Sequence, residues 1–156
     1  MKINFEMKYC ETKILLIEDN PNDIKLANRA FKKNNLLDHV KIISDGEESL
    51  DYIFCNGNYT ENINHKLQLI LLDLKLPKVD GLSILQELKS NEKTKSIPIV
   101  ILTSSCEEKD LIDAYRLGAN SYIIKPMKFE DFVRLISNLR KYWLSLNELP
   151  IVLGEN

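Results

Sequence analysis

Four short apolar runs in this chain stop abruptly at residues able to do chemistry. Ile14-Leu15-Leu16-Ile17 ends at Glu18-Asp19, Leu69-Ile70-Leu71-Leu72 at Asp73, Ile99-Val100-Ile101-Leu102 at Thr103-Ser104, and Tyr122-Ile123-Ile124 at Lys125-Pro126. A carboxylate that closes an apolar run is drawn toward a dry interior, where an uncompensated charge is costly. Asp73 therefore needs a cation, a partner or a task. Carboxylates gathered at one place repel one another, and a hard divalent cation such as Mg²⁺ relieves this by taking one or two of them together with waters and phosphate oxygens. A carboxylate can also act as the nucleophile of phosphoryl transfer and become an aspartyl phosphate. That transfer needs charge neutralised on the phosphoryl oxygens more than it needs acid–base work. Lys125 offers a point charge for it, and Thr103 offers a hydroxyl hydrogen bond.

The elements that must position these residues alternate along the chain. Ile14–Ile17 reads as a first strand, with Asn20 as a cap and Pro21 at the first position of the following helix. Ile24, Ala27 and Phe31 share one face of that helix. Val40–Ile43 reads as strand two, and Asp45 caps a helix striped with Leu50, Ile53 and Phe54. Asn56 to Lys66 is polar and contains Gly57, so it reads as a loop. Strand three spans Leu67–Leu72, and a helix over Gly81–Ser90 turns Leu82, Leu85 and Leu88 inward. Pro98 opens strand four, Ile99–Leu102. A helix over Glu107–Leu117 is closed by Gly118. Strand five is Ser121–Ile124, and a last helix runs from Phe129 to Leu146. The strands are continuously apolar rather than alternating, as expected when a parallel sheet is buried on both faces. Strand–helix alternation over about 130 residues predicts an α/β fold, a doubly wound five-stranded parallel sheet with five helices. In such a sheet ligands bind at the carboxyl ends of the strands, where Glu18, Asp19, Asp73, Thr103 and Lys125 all fall.

Composition excludes several classes. The chain of 156 residues is 44% hydrophobic and 28% charged with a formal net charge of −2, which suits one domain with one core. It lacks the basic footprint of a nucleic-acid binder. No apolar stretch approaches the ~20 residues that cross a bilayer, and the first residues lack a signal-peptide core. Cys10, Cys55 and Cys106 are odd in number and far apart, so neither a disulfide framework nor a zinc site is expected; reduced thiols fit a cytoplasmic protein. Cys106 follows the Thr103 loop, where a redox role would need surroundings that lower its pKa. His39 and His65 have no partner at metal-ligand spacing. The domain is expected over residues 13–146, with an extension over 1–12 and a tail over 147–156.

Taken together, the segments Leu15-Leu16-Ile17-Glu18-Asp19-Asn20, Leu71-Leu72-Asp73-Leu74-Lys75-Leu76-Pro77 with Asp80-Gly81, Ile101-Leu102-Thr103-Ser104 and Tyr122-Ile123-Ile124-Lys125-Pro126 resemble the receiver domain of two-component response regulators. The resemblance covers roughly Thr12 to Tyr142. A narrower similarity reaches small stand-alone regulators that partner phytochrome-type histidine kinases. It rests on Glu18-Asp19-Asn20-Pro21 with Asp23, the loop around Gly57-Asn58-Tyr59, Ile97-Pro98-Ile99-Val100, and Tyr142-Trp143-Leu144 with Leu149-Pro150.

The resemblance implies a flavodoxin-like sheet of order 2-1-3-4-5. It implies that Asp73 accepts a phosphoryl group from a sensor histidine kinase; no helix-turn-helix pattern follows the receiver, so DNA-binding output in the same chain is not expected. Glu18, Asp19, Asp73 and the backbone carbonyl of Lys75 would hold Mg²⁺. Lys125 would pair with the phosphoryl oxygens, followed by a cis bond to Pro126. Thr103 and Tyr122 would be the switch, read out on a surface of helix four, strand five and helix five. Lys75 departs from the family, in which a neutral or acidic side chain is common there. Its lysine could fold over the phosphoryl group and slow attack by water, or pair with Asp19 or Glu18 and weaken metal binding.

Two other functions compete. A phosphohydrolase working through an aspartyl phosphate would need a second Asp two residues after the nucleophile, where Lys75 stands. A phosphorylation-independent binding module would not need all four site segments intact. On the last helix, Phe129, Phe132, Val133 and Ile136 form a core stripe. Leu135, Leu139, Tyr142, Trp143 and Leu146 add apolar surface that a second copy of the chain would cover, or that the Leu149–Leu153 tail would cover by folding back. The resemblance favours the homodimer.

Overall fold

The ends of the four apolar runs are held at one edge by a parallel sheet whose three central strands are buried and whose two edge strands are partly exposed. A computed structural model describes residues 12–60 and 67–150; Cys10, His65, nearly all of the expected extension and the end of the tail lie outside the described residues. The strands are β1 (Ile14–Ile17), β2 (Val40–Ile43), β3 (Leu69–Leu72), β4 (Ile99–Thr103) and β5 (Ser121–Ile124), in the order β2-β1-β3-β4-β5 and all parallel. The helices are α1 (Pro21–Lys33), α2 (Gly46–Phe54), α3 (Gly81–Ser90), α4 (Glu108–Arg116) and α5 (Phe129–Leu139), with short 3₁₀ turns at Leu37–His39 and Gly57–Tyr59. This is the flavodoxin-like architecture expected, and its switch point lies between β1 and β3.

Two cores follow from the pleat, because successive strand side chains point to opposite faces. Leu15, Ile17, Ile70, Leu72, Ile99 and Ile101 pack with Ile53, Ile84, Leu85, Leu88 and Ala114 of α2, α3 and α4. Ile14, Leu16, Leu69, Leu71, Val100 and Leu102 pack with Ala27, Ala30, Phe31, Phe132 and Ile136 of α1 and α5. Each such aliphatic side chain contributes about 1.5–3 kcal/mol when fully buried, so the sheet that carries the site is stiffly held on both sides.

Side-chain caps start three helices. Asn20 Oδ1 accepts from Asn22 N and Asp23 N, Asp45 Oδ1 from Glu48 N, and Asp80 Oδ1 from Leu82 N. The Glu48 amide bond is the main reason the Asp45 carboxyl sits below its usual range.

Some boundaries differ from expectation. β3 begins at Leu69 rather than Leu67, because Gln68 N and Leu69 N both reach back to Lys13 O before the ladder starts. α4 is one residue shorter at each end. The last helix does not stay α-helical to Leu146: Arg140–Leu146 is a π-helical turn, with Asn147 N bonded to Tyr142 O. Leu139 is core rather than surface, and Leu135 and Trp143 are half-buried against the same core. Of the five residues expected to add apolar surface there, Tyr142 and Leu146 are the exposed ones. Among the described residues no helix is long and apolar enough to cross a membrane.

Gly81 secures the segment after Asp73. A Cβ built at Gly81 would lie 2.4 Å from Asp73 O and 2.6 Å from Leu74 Cα, both backbone atoms that cannot swing aside. Gly81→Ala is therefore expected to cost about 1–3 kcal/mol by overpacking. Urea unfolding would read this as a lower midpoint at unchanged slope; an unchanged midpoint would contradict the close approach.

Candidate functional site

Strand register assembles the acidic group. Ile17 and Leu72 are partners across β1 and β3, and Asp73 N donates to Ile17 O at 3.1 Å. Glu18 and Asp73 thus leave neighbouring strands at the same level. Glu18 and Asp73 are buried at 2% and 5% exposure, and Asp19 is half-buried. One carboxylate oxygen from each of Glu18, Asp19 and Asp73 lies within 4.8 Å of the others. An all-oxygen set at this spacing is the donor chemistry of a hard divalent cation.

Lys125 answers that charge from β5. Its amide donates to Thr103 O at 2.8 Å, which carries the chain past the end of β4. Its Nζ bonds Glu18 Oε2 at 2.6 Å, Asp23 Oδ2 at 2.8 Å and Asp73 Oδ2 at 2.9 Å. An ammonium has three donors; here it hydrogen-bonds Asp23 and Asp73 and is ion-paired with Glu18. Burial alone would lower the Lys125 pKa, but the bonds to Asp23, Glu18 and Asp73 outweigh it and raise the pKa above the ordinary lysine value. Glu18 moves upward too, to about 7: burial dominates, its bond to Lys125 opposes, and the Asp73 charge adds to the rise. The bonded carboxylates account for the Lys125 shift, whereas burial is the main cause of the Glu18 shift. Among the described residues no peptide bond is cis, so Lys125–Pro126 is trans, contrary to expectation. Trans is the intrinsically favoured isomer of such a bond, and Lys125 reaches all three carboxylates with it.

The hydroxyl residues are wired into the loop after β4. Thr103 is fully buried, and its Oγ1 accepts from Ser105 N at 3.3 Å. Ser105 Oγ donates to Asp110 Oδ2 at 2.5 Å, and Tyr122 OH donates to Ser105 O at 3.0 Å. Burial raises the Tyr122 pKa, with the Ser105 contact opposing. Tyr122 also lines a shallow groove of about 440 Å³ with Cys106, Glu107, Leu111, Ile123 and Ile124. Lys75 is exposed; its amide donates to Asp73 Oδ1 at 3.3 Å, while its ammonium pairs with neither Asp19 nor Glu18.

The structure therefore brings together Glu18, Asp19, Asp73 and Lys125, and ties Thr103 at the end of β4 and Tyr122 in β5 to the loop after β4 through Ser105. Sequence reasoning used Asp23 only as part of a similarity and missed it as a member of the site. One signal was available: α1 begins at the site edge, so an acid in its first turn points back toward the strand ends.

Comparison with known proteins places this geometry in context. The model of the response regulator receiver domain matches residues 14–137. The "Probable methanogenesis regulatory protein FilR2" of Methanothrix harundinacea is 39% identical over 137 residues, covering 88% of this chain and 86% of that protein. The crystal structure of the phosphorylated cyanobacterial phytochrome response regulator RcpA is similar at a TM-score of 0.81 with 37% identity, covering 89% of this chain and 98% of that one. Rcp1 of Synechocystis, in its Mn²⁺-bound crystal form, is similar at a TM-score of 0.77 with 35% identity over 88% of this chain and 97% of that one.

The Glu18 shift sets a pH dependence. A carboxyl whose folded pKa stands near 7 against 4.5 unfolded contributes stability below the unfolded value and loses it as pH rises through the folded value. In metal-free buffer, wild type is expected to lose stability relative to Glu18→Gln between pH 5 and 8. Urea midpoints across that range check it; parallel curves would contradict the shift.

Proposed function

Because the chain belongs to the response regulator receiver family, we propose that it is a phosphoacceptor switch of two-component signalling. In this reading Asp73 takes a phosphoryl group from a phosphohistidine of a sensor histidine kinase. The observation that carries the reading is Asp73 itself: buried, 2.9 Å from the Lys125 ammonium, and within 4.8 Å of the carboxylates of Glu18 and Asp19. Asp73 is the nucleophile, and Lys125 meets the phosphoryl oxygens. Glu18, Asp19 and Asp73, with the backbone carbonyl of Lys75, are the proposed holders of Mg²⁺. When bound, that ion supplies charge neutralisation of the carboxylates and of the phosphoryl oxygens. Support for a divalent ion comes from the all-oxygen acidic set and from the similarity to Mn²⁺-bound Rcp1.

Thr103 and Tyr122 are the proposed switch. A phosphoryl group brings about −1.5 to −2 charges and strong acceptor oxygens. Thr103 satisfies them by giving up its contact with Ser105 N, and Tyr122 changes rotamer behind it. About 1.4 kcal/mol of differential interaction is needed for each tenfold shift in population. The readout surface is α4, β5 and α5, where Leu111, Ile112, Tyr115 and Ile124 are exposed. The proposed kinase is of the phytochrome type, by similarity to RcpA, and the setting is cytoplasmic. The receiver unit spans residues 13–146. A homodimer through the last helix is proposed on Tyr142 and Leu146, with Tyr142 stacked edge-on against Trp143. The groups near Asp73 serve its own phosphorylation and dephosphorylation rather than a separate substrate.

The test treats wild type and Asp73→Asn with acetyl phosphate, with and without Mg²⁺, and reads intact mass and oligomeric state together. A Mg²⁺-dependent phosphoryl adduct in the wild type alone, with a larger dimer population, is the expected result. An adduct without a change in assembly would overturn the dimer switch and leave the receiver. No adduct at any Mg²⁺ concentration would instead favour a phosphorylation-independent binding module. Separately, Leu146→Glu is expected to give monomers at concentrations where wild type is dimeric by light scattering; unchanged dimers would remove the last helix from the interface.

A further inference from the structure

We propose that Asp23 is a positioning residue whose carboxylate competes with the phosphoryl group for the Lys125 ammonium, and so weakens the hold of the site on phosphoryl donors. The inference rests on the phosphoacceptor reading of Asp73. The Lys125 ammonium is ion-paired with Glu18, Asp23 and Asp73 and hydrogen-bonded to Asp23 and Asp73. A phosphoryl oxygen arriving at Asp73 must share that ammonium with them. Glu18 and Asp73 belong to the acidic group that would hold a cation; Asp23 does not.

Asp23 is nonetheless fixed in place. It sits in the first turn of α1, its amide donates to the Asn20 cap at 3.2 Å, and Ile24 N bonds Asn20 O at 2.9 Å. The helix N-terminus favours its negative charge. Its side chain is 36% exposed, so it holds the ammonium from the solvent side of the site while Glu18 and Asp73 hold it from within.

In the transfer step an Asp73 oxygen attacks phosphorus, the bond from phosphorus to the acetyl oxygen breaks, and acetate leaves with the bonding pair. No proton moves and nothing is oxidised, so Lys125 keeps its three protons throughout. Its role is electrostatic, and any anion that shares it dilutes that role.

The experiment measures beryllofluoride affinity and the half-saturating concentration of acetyl phosphate, using the full chain at saturating Mg²⁺. It compares wild type, Asp23→Asn, Asp23→Ser, Asp23→Glu, Lys125→Met and the Asp23→Asn/Lys125→Met double variant. Removing the competing charge is expected to tighten beryllofluoride binding about three- to tenfold and to lower the half-saturating donor concentration by a similar factor. Asp23→Ser should behave like Asp23→Asn, and Asp23→Glu should return to the wild-type value. In the Lys125→Met background the gain should vanish, because the two residues then no longer couple. A gain of equal size in that background would mean plain charge repulsion and would overturn the proposal. So would unchanged or weaker binding in Asp23→Asn and Asp23→Ser while wild type binds normally. Failure of wild type to bind beryllofluoride would instead overturn the phosphoacceptor reading.

Discussion

One ammonium group sets the terms for this site. Lys125 Nζ pairs with three carboxylates from three other elements: Glu18 after β1, Asp23 on α1 and Asp73 after β3. Two of those carboxylates are almost wholly removed from water, where like charges repel far more strongly than in solution. The sheet pairs Ile17 with Leu72 and extends β5 until Lys125 passes the end of β4. Register therefore creates both the excess of negative charge and the cation that offsets part of it. Burial is the main cause of the raised Glu18 pKa, with the Asp73 charge adding to it, and the remaining excess of carboxylates leaves room for a further positive charge.

The two sides of the site differ mechanically. The carboxylates follow β1 and β3, central strands packed on both faces by close-fitting aliphatic side chains, with the backbone of Gly81 pressed against the segment after Asp73. Such packing resists small displacements. Thr103 ends β4 and Tyr122 lies in β5, and each meets the loop after β4 through a discrete hydrogen bond to Ser105, next to a partly open apolar groove. A charge change at Asp73 finds rigid partners on one side and exchangeable ones on the other. That asymmetry is what a two-state readout requires.

Much of this was legible in the sequence because the strands are short, continuously apolar and closed by charged or hydroxyl residues. Asn20, Asp45 and Gly118 also mark helix ends by side chain or by backbone freedom, and all three act as expected. Asp23 was harder. An acid in the first turn of a helix usually serves the helix dipole, and nothing local distinguishes that from a long-range bond to Lys125. The π-helical turn at Arg140–Leu146 has no composition signature, since it depends on which carbonyl Asn147 N reaches. Leu135, Leu139 and Trp143 belong to the core or its edge rather than the surface, because periodicity does not reveal how far the core extends beneath a helix end.

The most direct test of the central claim is the stability of Lys125→Met against wild type, measured by urea unfolding in metal-free buffer and again at saturating Mg²⁺. Removing the cation from buried carboxylates is expected to cost about 3–5 kcal/mol without metal, with most of that loss recovered when Mg²⁺ is added. A loss of equal size in both buffers, or no loss in either, would contradict the view that charge balance around Lys125 governs this site.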